Sequence, residues 1–314
     1  MGTDSVTKIA EHYSASSQVV LYPGDCRGLL EEIPPGSVEL FVTSPPYNIG
    51  KEYERKTTLD QYKSFQREVI GLCVERLSPS GSICWEVGNH VVGQEVFPLD
   101  IELYPIFKEF GLKLRNRIVW HFEHGLHCSR RLSGRHESIL WFTRSDGYRF
   151  DLDPIRVPSK YPGKKYYKGP KRGQLSGNPL GKNPGDVWDI PNVKHNHPEK
   201  TEHPCQFPVE LVQRLIRSMT KPSALVVDPF MGVGSTAVAA VLEGRRVAGA
   251  ELVPRYLTIA KERVGQAIAG TARVRPIGRP IYVPPPTLSI VRRPPTAPTK
   301  ERTVEFYESP PTVR

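Results

Sequence analysis

The sequence predicts an α/β fold: a mostly parallel sheet of seven strands with one antiparallel hairpin member, and helices between most of the strands. Three observations carry that expectation. Seven short apolar runs have the length and residue types of buried strands. Most are separated by segments whose apolar residues recur at helical spacing, and strands alternating with helices build a parallel sheet. Two neighbouring runs, 113–122 and 138–142, have no helical pattern between them and pair back as a hairpin.

In chain order, Val19-Val20-Leu21-Tyr22 is the first strand, running into Pro23-Gly24-Asp25. A short helix from Cys26 to Ile33 and a Pro34-Pro35-Gly36 turn lead to a second strand, Val38 to Val42. Thr43-Ser44-Pro45-Pro46-Tyr47 ends it. A prolyl pair cannot continue a ladder and holds the preceding residues extended, so the backbone leaves the sheet as a stiff tip. That tip offers unused carbonyls, the Ser44 hydroxyl and the face of Tyr47, a set able to hold a planar group bearing an NH2. Residues 59–77 are helical by spacing and stop at Pro79 to Gly81; Ser82 to Val87 is a strand and Leu99 to Phe110 a helix. The regular pattern dissolves from about Asp151 to Asn196. It resumes with a helix over 207–219, a strand over 224–227, a helix over 236–242, a strand over 246–250 and a closing helix from Pro254 to Ile268. From Gly270 to Arg314 prolines accumulate, which suits an extended arm docked on its own body or on a partner subunit. The chain divides accordingly into 19–150, 151–200, 201–269 and 270–314.

A net charge of +10 points toward a polyanionic partner. No stretch has the apolar length of a membrane span, and the N-terminus lacks the apolar core of a signal peptide. Five scattered cysteines suit the reducing cytoplasm rather than a disulfide framework.

Residues 224–236 (ALVVDPFMGVGST) read as strand, glycine turn and helix start, with free backbone N–H groups at the helix N-terminus. Glu251 ends the next strand, where a carboxylate can accept from ribose hydroxyls. Gly232, Gly234 and Ala237 also satisfy the dinucleotide fingerprint, so a dehydrogenase enters consideration; that match alone is weak. Asp228, just before the glycines, would repel a pyrophosphate but suit an amino group. A nucleoside with a cationic amino-acid arm, S-adenosylmethionine, fits both carboxylates.

On these residues the chain resembles the S-adenosylmethionine-dependent DNA amino-methyltransferases, in the β-type order with the TSPPY catalytic motif first and the F-x-G-x-G cofactor motif last. The resemblance covers roughly residues 19 to 268. It implies a seven-stranded Rossmann-like methyltransferase sheet, with Ser44, Pro45, Pro46 and Tyr47 as the catalytic set. It further implies that Asp228, Pro229, Phe230, Gly232, Gly234, Ser235, Thr236 and Glu251 hold the cofactor, and that Asp25, beside Cys26, reaches its adenine. Residues 203–208, with Phe207, resemble the segment that covers the cofactor, and Arg135-His136-Glu137 resembles a late-strand motif. Ser at the first motif position usually accompanies cytosine-N4 methylation, so that target is favoured; adenine-N6 is the alternative. Implied partners are double-stranded DNA, a second copy of the chain and a cognate restriction endonuclease.

A base inside a duplex is out of reach of such a site and must be flipped out, with Tyr47 stacking on it. Residues 159–186 place Lys164, Lys165, Lys168, Lys171 and Arg172 among Tyr161, Tyr166 and Tyr167, a composition suited to phosphate contact and stacking. Arg130 and Arg131, on the 125–134 loop, could share the reading, and 48–56, with Lys51, is expected to form a flap over DNA. The rivals are an RNA or protein-glutamine methyltransferase, in which the glycine motif usually comes first, and a non-catalytic DNA-binding regulator. Pro204-Cys205-Gln206 resembles a cytosine-C5 nucleophile motif, but it precedes the glycine motif and has no strand of its own. Two histidine clusters, 121–128 and 195–205, lack the usual zinc spacing, and no metal is expected.

Overall fold

The computed structural model describes residues 8–48, 50 and 56–281. Its strands are β1 (Ile9–Ala10), β2 (Val19–Pro23), β3 (Val38–Thr43), β4 (Leu77–Val87), β5 (Asn89–Val92), β6 (Glu95–Pro98), β7 (Lys113–His121), β8 (His136–Thr143), β9 (Val187–Asp189), β10 (Leu225–Asp228) and β11 (Arg246–Glu251). Its α-helices are α1 (Cys26–Glu32), α2 (Leu59–Arg76), α3 (Leu99–Glu109), α4 (Val209–Met219), α5 (Ser235–Leu242) and α6 (Pro254–Ile268). The main sheet runs β1-β2-β11-β10-β3-β4-β8-β7-β9. The seven expected strands are its contiguous centre, and β8 alone runs against its neighbours β4 and β7. Two short strands, β1 and β9, extend the edges; at two and three residues they lie below what an apolar run can signal.

Both faces of the sheet are covered, which is why its strands read as nearly unbroken apolar runs. Leu29, Leu30, Val69, Ile70, Leu103 and Phe107 from α1–α3 pack on one face with Val38 and Phe41. Val212, Leu215, Val238, Leu257 and Val264 from α4–α6 pack on the other with Leu40 and Val42. A capping box explains where α2 starts: Thr58 Oγ1 accepts from Gln61 N, and the Gln61 side chain accepts from Thr58 N.

Pro79 to Gly81 end the helical pattern as expected, yet the strand that follows starts earlier, at Leu77. The register with β3 shifts between Val38 and Leu40, so the Pro-Ser-Gly stretch is taken up as an irregularity within the ladder. The β5–β6 hairpin had no counterpart in the apolar pattern, because its residues are largely exposed. Residues after α6 do not all stand away from the body. Arg275, 7% exposed, pairs with Glu210 of α4, and Gly278 N donates to the same carboxylate at 2.8 Å. The expected arm over 282–314 lies outside the described residues.

α2 follows β3 on one face and α5 follows β10 on the other, and β3 and β10 are hydrogen-bonded neighbours. The order therefore reverses between these two strands. In open α/β sheets, ligands bind outside the carboxyl ends of the strands at such a switch point.

Candidate active site

The parallel pairing of Val226 with Leu40 and Val227 with Phe41 brings two distant strand ends side by side. A buried contact locks them. Thr43 Oγ1 donates to Asp228 Oδ1 at 2.6 Å, across 185 positions of sequence, and Phe230 N donates to the same oxygen at 3.1 Å. Asp228 is 0% exposed, and burial raises its carboxyl to about 6. Its Oδ1 is turned onto Thr43, and Asp228 is not among the residues that line the cleft described next.

Outside these strand ends lies a cleft of about 450 Å³. Asp25, Cys26, Ser44, Pro45, Pro46, Tyr47, Phe207, Pro229, Phe230, Gly232, Ser235 and Glu251, all singled out from the sequence, line it. Gly234 and Thr236 are buried behind its wall. Gly232 and Gly234 have φ of 56° and 79°, left-handed values that L side chains rarely adopt, and Gly234 caps α5. Glu251 accepts from Val253 N at 2.7 Å, and burial raises its carboxyl above the ordinary range. Asp25 caps α1 through Arg27 N, and the Arg27 guanidinium bonded to it lowers its carboxyl. The Cys26 thiol is pushed up by burial to about 12, so it stays neutral.

Phe65, Tyr256 and Gln66 carry no local signal in the sequence, whereas His203 belongs to the 203–208 segment expected over the cofactor. Phe65 packs 6.0 Å from Phe230, and His203 stands edge-on to Tyr256 at 4.6 Å, against Gly232. Gln66, wholly buried in α2 at the cleft, has neither Oε1 nor Nε2 hydrogen-bonded. An unpaired buried amide is costly unless a ligand completes it, and an amide edge complements the amino-imine edge of an adenine. Apolar walls, a ribose-accepting carboxylate, an open helix N-terminus and this amide together fit an adenosyl group with an amino-acid arm.

A second cavity of about 90 Å³ adjoins the first and shares Ser44, Tyr47, Cys205, Gln206 and Phe207 with it. Trp120, Phe122, Glu86, Glu137 and Lys194 also belong to its wall. Tyr47 is 9% exposed; its hydroxyl donates to Glu86 Oε2 at 2.7 Å and lies 3.0 Å from Ser44 Oγ. Burial raises that phenol well above its usual value, so it remains a donor. A glutamate inside the apolar strand SICWEV is the one sequence signal that could have marked Glu86.

The basic stretch is folded back on itself. Val157 pairs with Lys182 and Lys165 with Leu175, which makes residues 157–182 an irregular two-stranded finger. Lys164, Lys165, Lys168, Lys171 and Arg172 are exposed on it, as are Tyr166 and Tyr167, and Arg130 and Arg131 are exposed on their own loop. Lys51 and most of the expected flap lie outside the described residues. Among the described residues no three His, Cys, Asp or Glu side chains converge as a metal site, and no helix is long and apolar enough to cross a membrane.

The profile of the DNA methylase family (N6_N4_Mtase) matches residues 38–262. The type II methyltransferase M.BglII of Bacillus subtilis is 51% identical over 241 residues, 76% of this chain and 67% of that protein. The type II methyltransferase M.ScaI of Streptomyces caespitosus is 36% identical over 262 residues, 82% and 84% of the two chains. Among solved structures, a DNA modification methylase from Thermus thermophilus complexed with S-adenosyl-L-methionine superposes with a TM-score of 0.56 at 29% identity, covering 80% of this chain and 96% of that one.

Proposed function

The chain belongs to the DNA methylase family and is an S-adenosylmethionine-dependent DNA amino-methyltransferase, and on that premise we propose that it methylates the N4 amine of a cytosine flipped out of duplex DNA. The observation that carries the reading is the Thr43–Asp228 bond, which ties the catalytic tip to the cofactor turn. The 450 Å³ cleft takes the cofactor, with Glu251 at the ribose, Asp25 and Gln66 at the adenine and Phe230 and Phe207 as walls. Bound there, S-adenosylmethionine supplies a methyl group activated by its sulfonium.

The smaller pocket takes the base. An exocyclic amine is a poor nucleophile because its lone pair is delocalised into the ring. Ser44 Oγ and the Pro45 carbonyl accept its two N–H bonds, which draws the nitrogen toward tetrahedral geometry and frees the lone pair. Groups placed where charge develops are worth about a hundred- to thousandfold in rate. Holding the amine at bonding distance from the methyl adds a proximity term. Tyr47 positions Ser44 through its hydroxyl, and its buried ring forms part of the pocket wall. The exposed finger at 157–182, with Arg130 and Arg131, holds the phosphates.

Ser44 at the first motif position favours cytosine over adenine, which offers the same two N–H groups. A cognate restriction endonuclease, a homodimer and a cytoplasmic location belong to the same reading; the type II designation of the two relatives supports the first. Mass spectrometry of nucleosides from DNA methylated by the chain tests the target: N4-methylcytosine is expected, and N6-methyladenine alone would replace it with the adenine reading. Sequencing of modified bases in a host expressing the chain then yields the recognition site.

A further inference from the structure

Glu86 and Glu137 line the smaller pocket together with Ser44. Strand register puts them there. In the antiparallel β4–β8 ladder Glu86 faces Ile139 and Val87 faces Ser138, so Glu86 and Glu137 share a face as diagonal neighbours. One step past Val87, a Cβ on Gly88 would stand 3.0 Å from Tyr47 Cε2 and 3.3 Å from Glu137 Oε1. The missing side chain of Gly88 makes the space in which Tyr47 and Glu137 meet. The Tyr47 hydroxyl donates to Glu86 Oε2 at 2.7 Å and lies 3.5 Å from Glu137 Oε2.

Burial, and then the charge of Glu86 and a hydrogen bond with it, push Glu137 well above the ordinary carboxyl range. The groups facing Glu137 are Tyr47, Glu86, Lys194 and Cys205, with His136 beside it on β8. A carboxyl that keeps its proton is a hydrogen-bond donor, which an ionised one is not. The exocyclic amine of an amino base always neighbours a ring nitrogen with a free lone pair, N3 in cytosine and N1 in adenine. In thymine and guanine the corresponding positions carry N–H beside a carbonyl.

We propose that the Glu137 carboxyl, set beside Glu86 and the Tyr47 hydroxyl in this pocket, donates to this ring nitrogen of the flipped base and so selects amino bases against keto bases. The inference rests on the base-flipping reading above and adds to it the group that reads the base. Donation draws electron density out of the ring and does not make the amine a better nucleophile. The contribution is therefore to selection and positioning, and it appears in KM and in discrimination more than in kcat.

The test uses the full chain and duplexes carrying its mapped site, with the methylated base either natural or replaced by the deaza analogue that has C–H in place of that ring nitrogen. For the wild type the analogue is expected to lose about ten- to hundredfold in kcat/KM, since it leaves a buried donor unpaired. In Glu137→Ala the natural and deaza duplexes become equivalent. With the natural duplex, wild-type kcat/KM falls as pH rises and Glu137 loses its proton. Glu137→Gln keeps an N–H donor at every pH and loses that alkaline limb. Binding of S-adenosylmethionine by each variant reports folding independently of activity. Equal rates of the wild type on natural and deaza duplexes overturn the proposal without use of a variant. So does a Glu137→Gln that binds the cofactor yet is as impaired as Glu137→Ala. Absence of methyl transfer to any DNA by the wild type would instead remove the reading beneath it.

Discussion

Ser44 and Asp228 stand at the ends of adjacent strands and do opposite kinds of work. Ser44 lines both pockets, and its oxygen is bonded to nothing more demanding than the Tyr47 hydroxyl, so it is free to meet an incoming amine. Ser44→Ala is expected to lower kcat about a hundred- to thousandfold while leaving DNA affinity in gel-shift assays intact; a parallel loss of both would point to a DNA-binding role alone. Asp228 is a linchpin whose burial has a thermodynamic signature. Its folded-state carboxyl, raised to about 6, binds a proton more tightly than an unfolded aspartate does, near 3.8. The stability tied to that protonation is complete below the unfolded value and is lost as pH climbs through the folded one. The decline amounts to about 3 kcal/mol between roughly pH 4 and pH 6. Denaturant unfolding of the cofactor-free chain should show that decline, and Asp228→Asn should remove it. The residue types at both positions were legible in the motifs. The Thr43 partner of Asp228 was not, because a hydroxyl 185 positions away leaves no local trace.

Among the elements, the long parallel strands and amphipathic helices were legible because each buries a periodic apolar face. β1, β9 and the β5–β6 hairpin were not, being too short or too exposed to carry a period. Proline content marks the stretch after α6 as an extended arm docked on its own body or on a partner subunit, and its residues to Arg279 belong to the same compact unit as the sheet. α4 holds them through one buried carboxylate: Glu210 is 2% exposed and pairs with Arg275, whose own backbone N–H donates to Glu199 at 3.0 Å. Removing one member of a buried ion pair strands the other, so Glu210→Ala should cost about 3–5 kcal/mol of unfolding free energy. Replacing both residues by apolar ones should cost less than the single change. A fully additive double mutant would show that the pair is not coupled.

Across the whole molecule, much of the positive charge gathers on the 157–182 finger, where Lys164, Lys165, Lys168, Lys171 and Arg172 are exposed together with Lys160 and Lys182. Replacing Lys164, Lys165, Lys168, Lys171 and Arg172 with Gln should weaken DNA binding at all sequences alike. It should also flatten the dependence of log affinity on log salt by about one unit for each side chain that touches a phosphate. An unchanged slope would move the phosphate contacts elsewhere. The fold class, the two motifs and the chemistry each can support are legible along the chain, since apolar periodicity and proline and glycine geometry act over a few neighbouring residues. The folded chain alone reveals that β3 and β10 are neighbours, that Thr43 bonds Asp228, and that Glu86, Glu137 and Tyr47 converge on one pocket. Those juxtapositions follow from strand order and register, which are set by how whole faces pack against one another and not by any local stretch of chain.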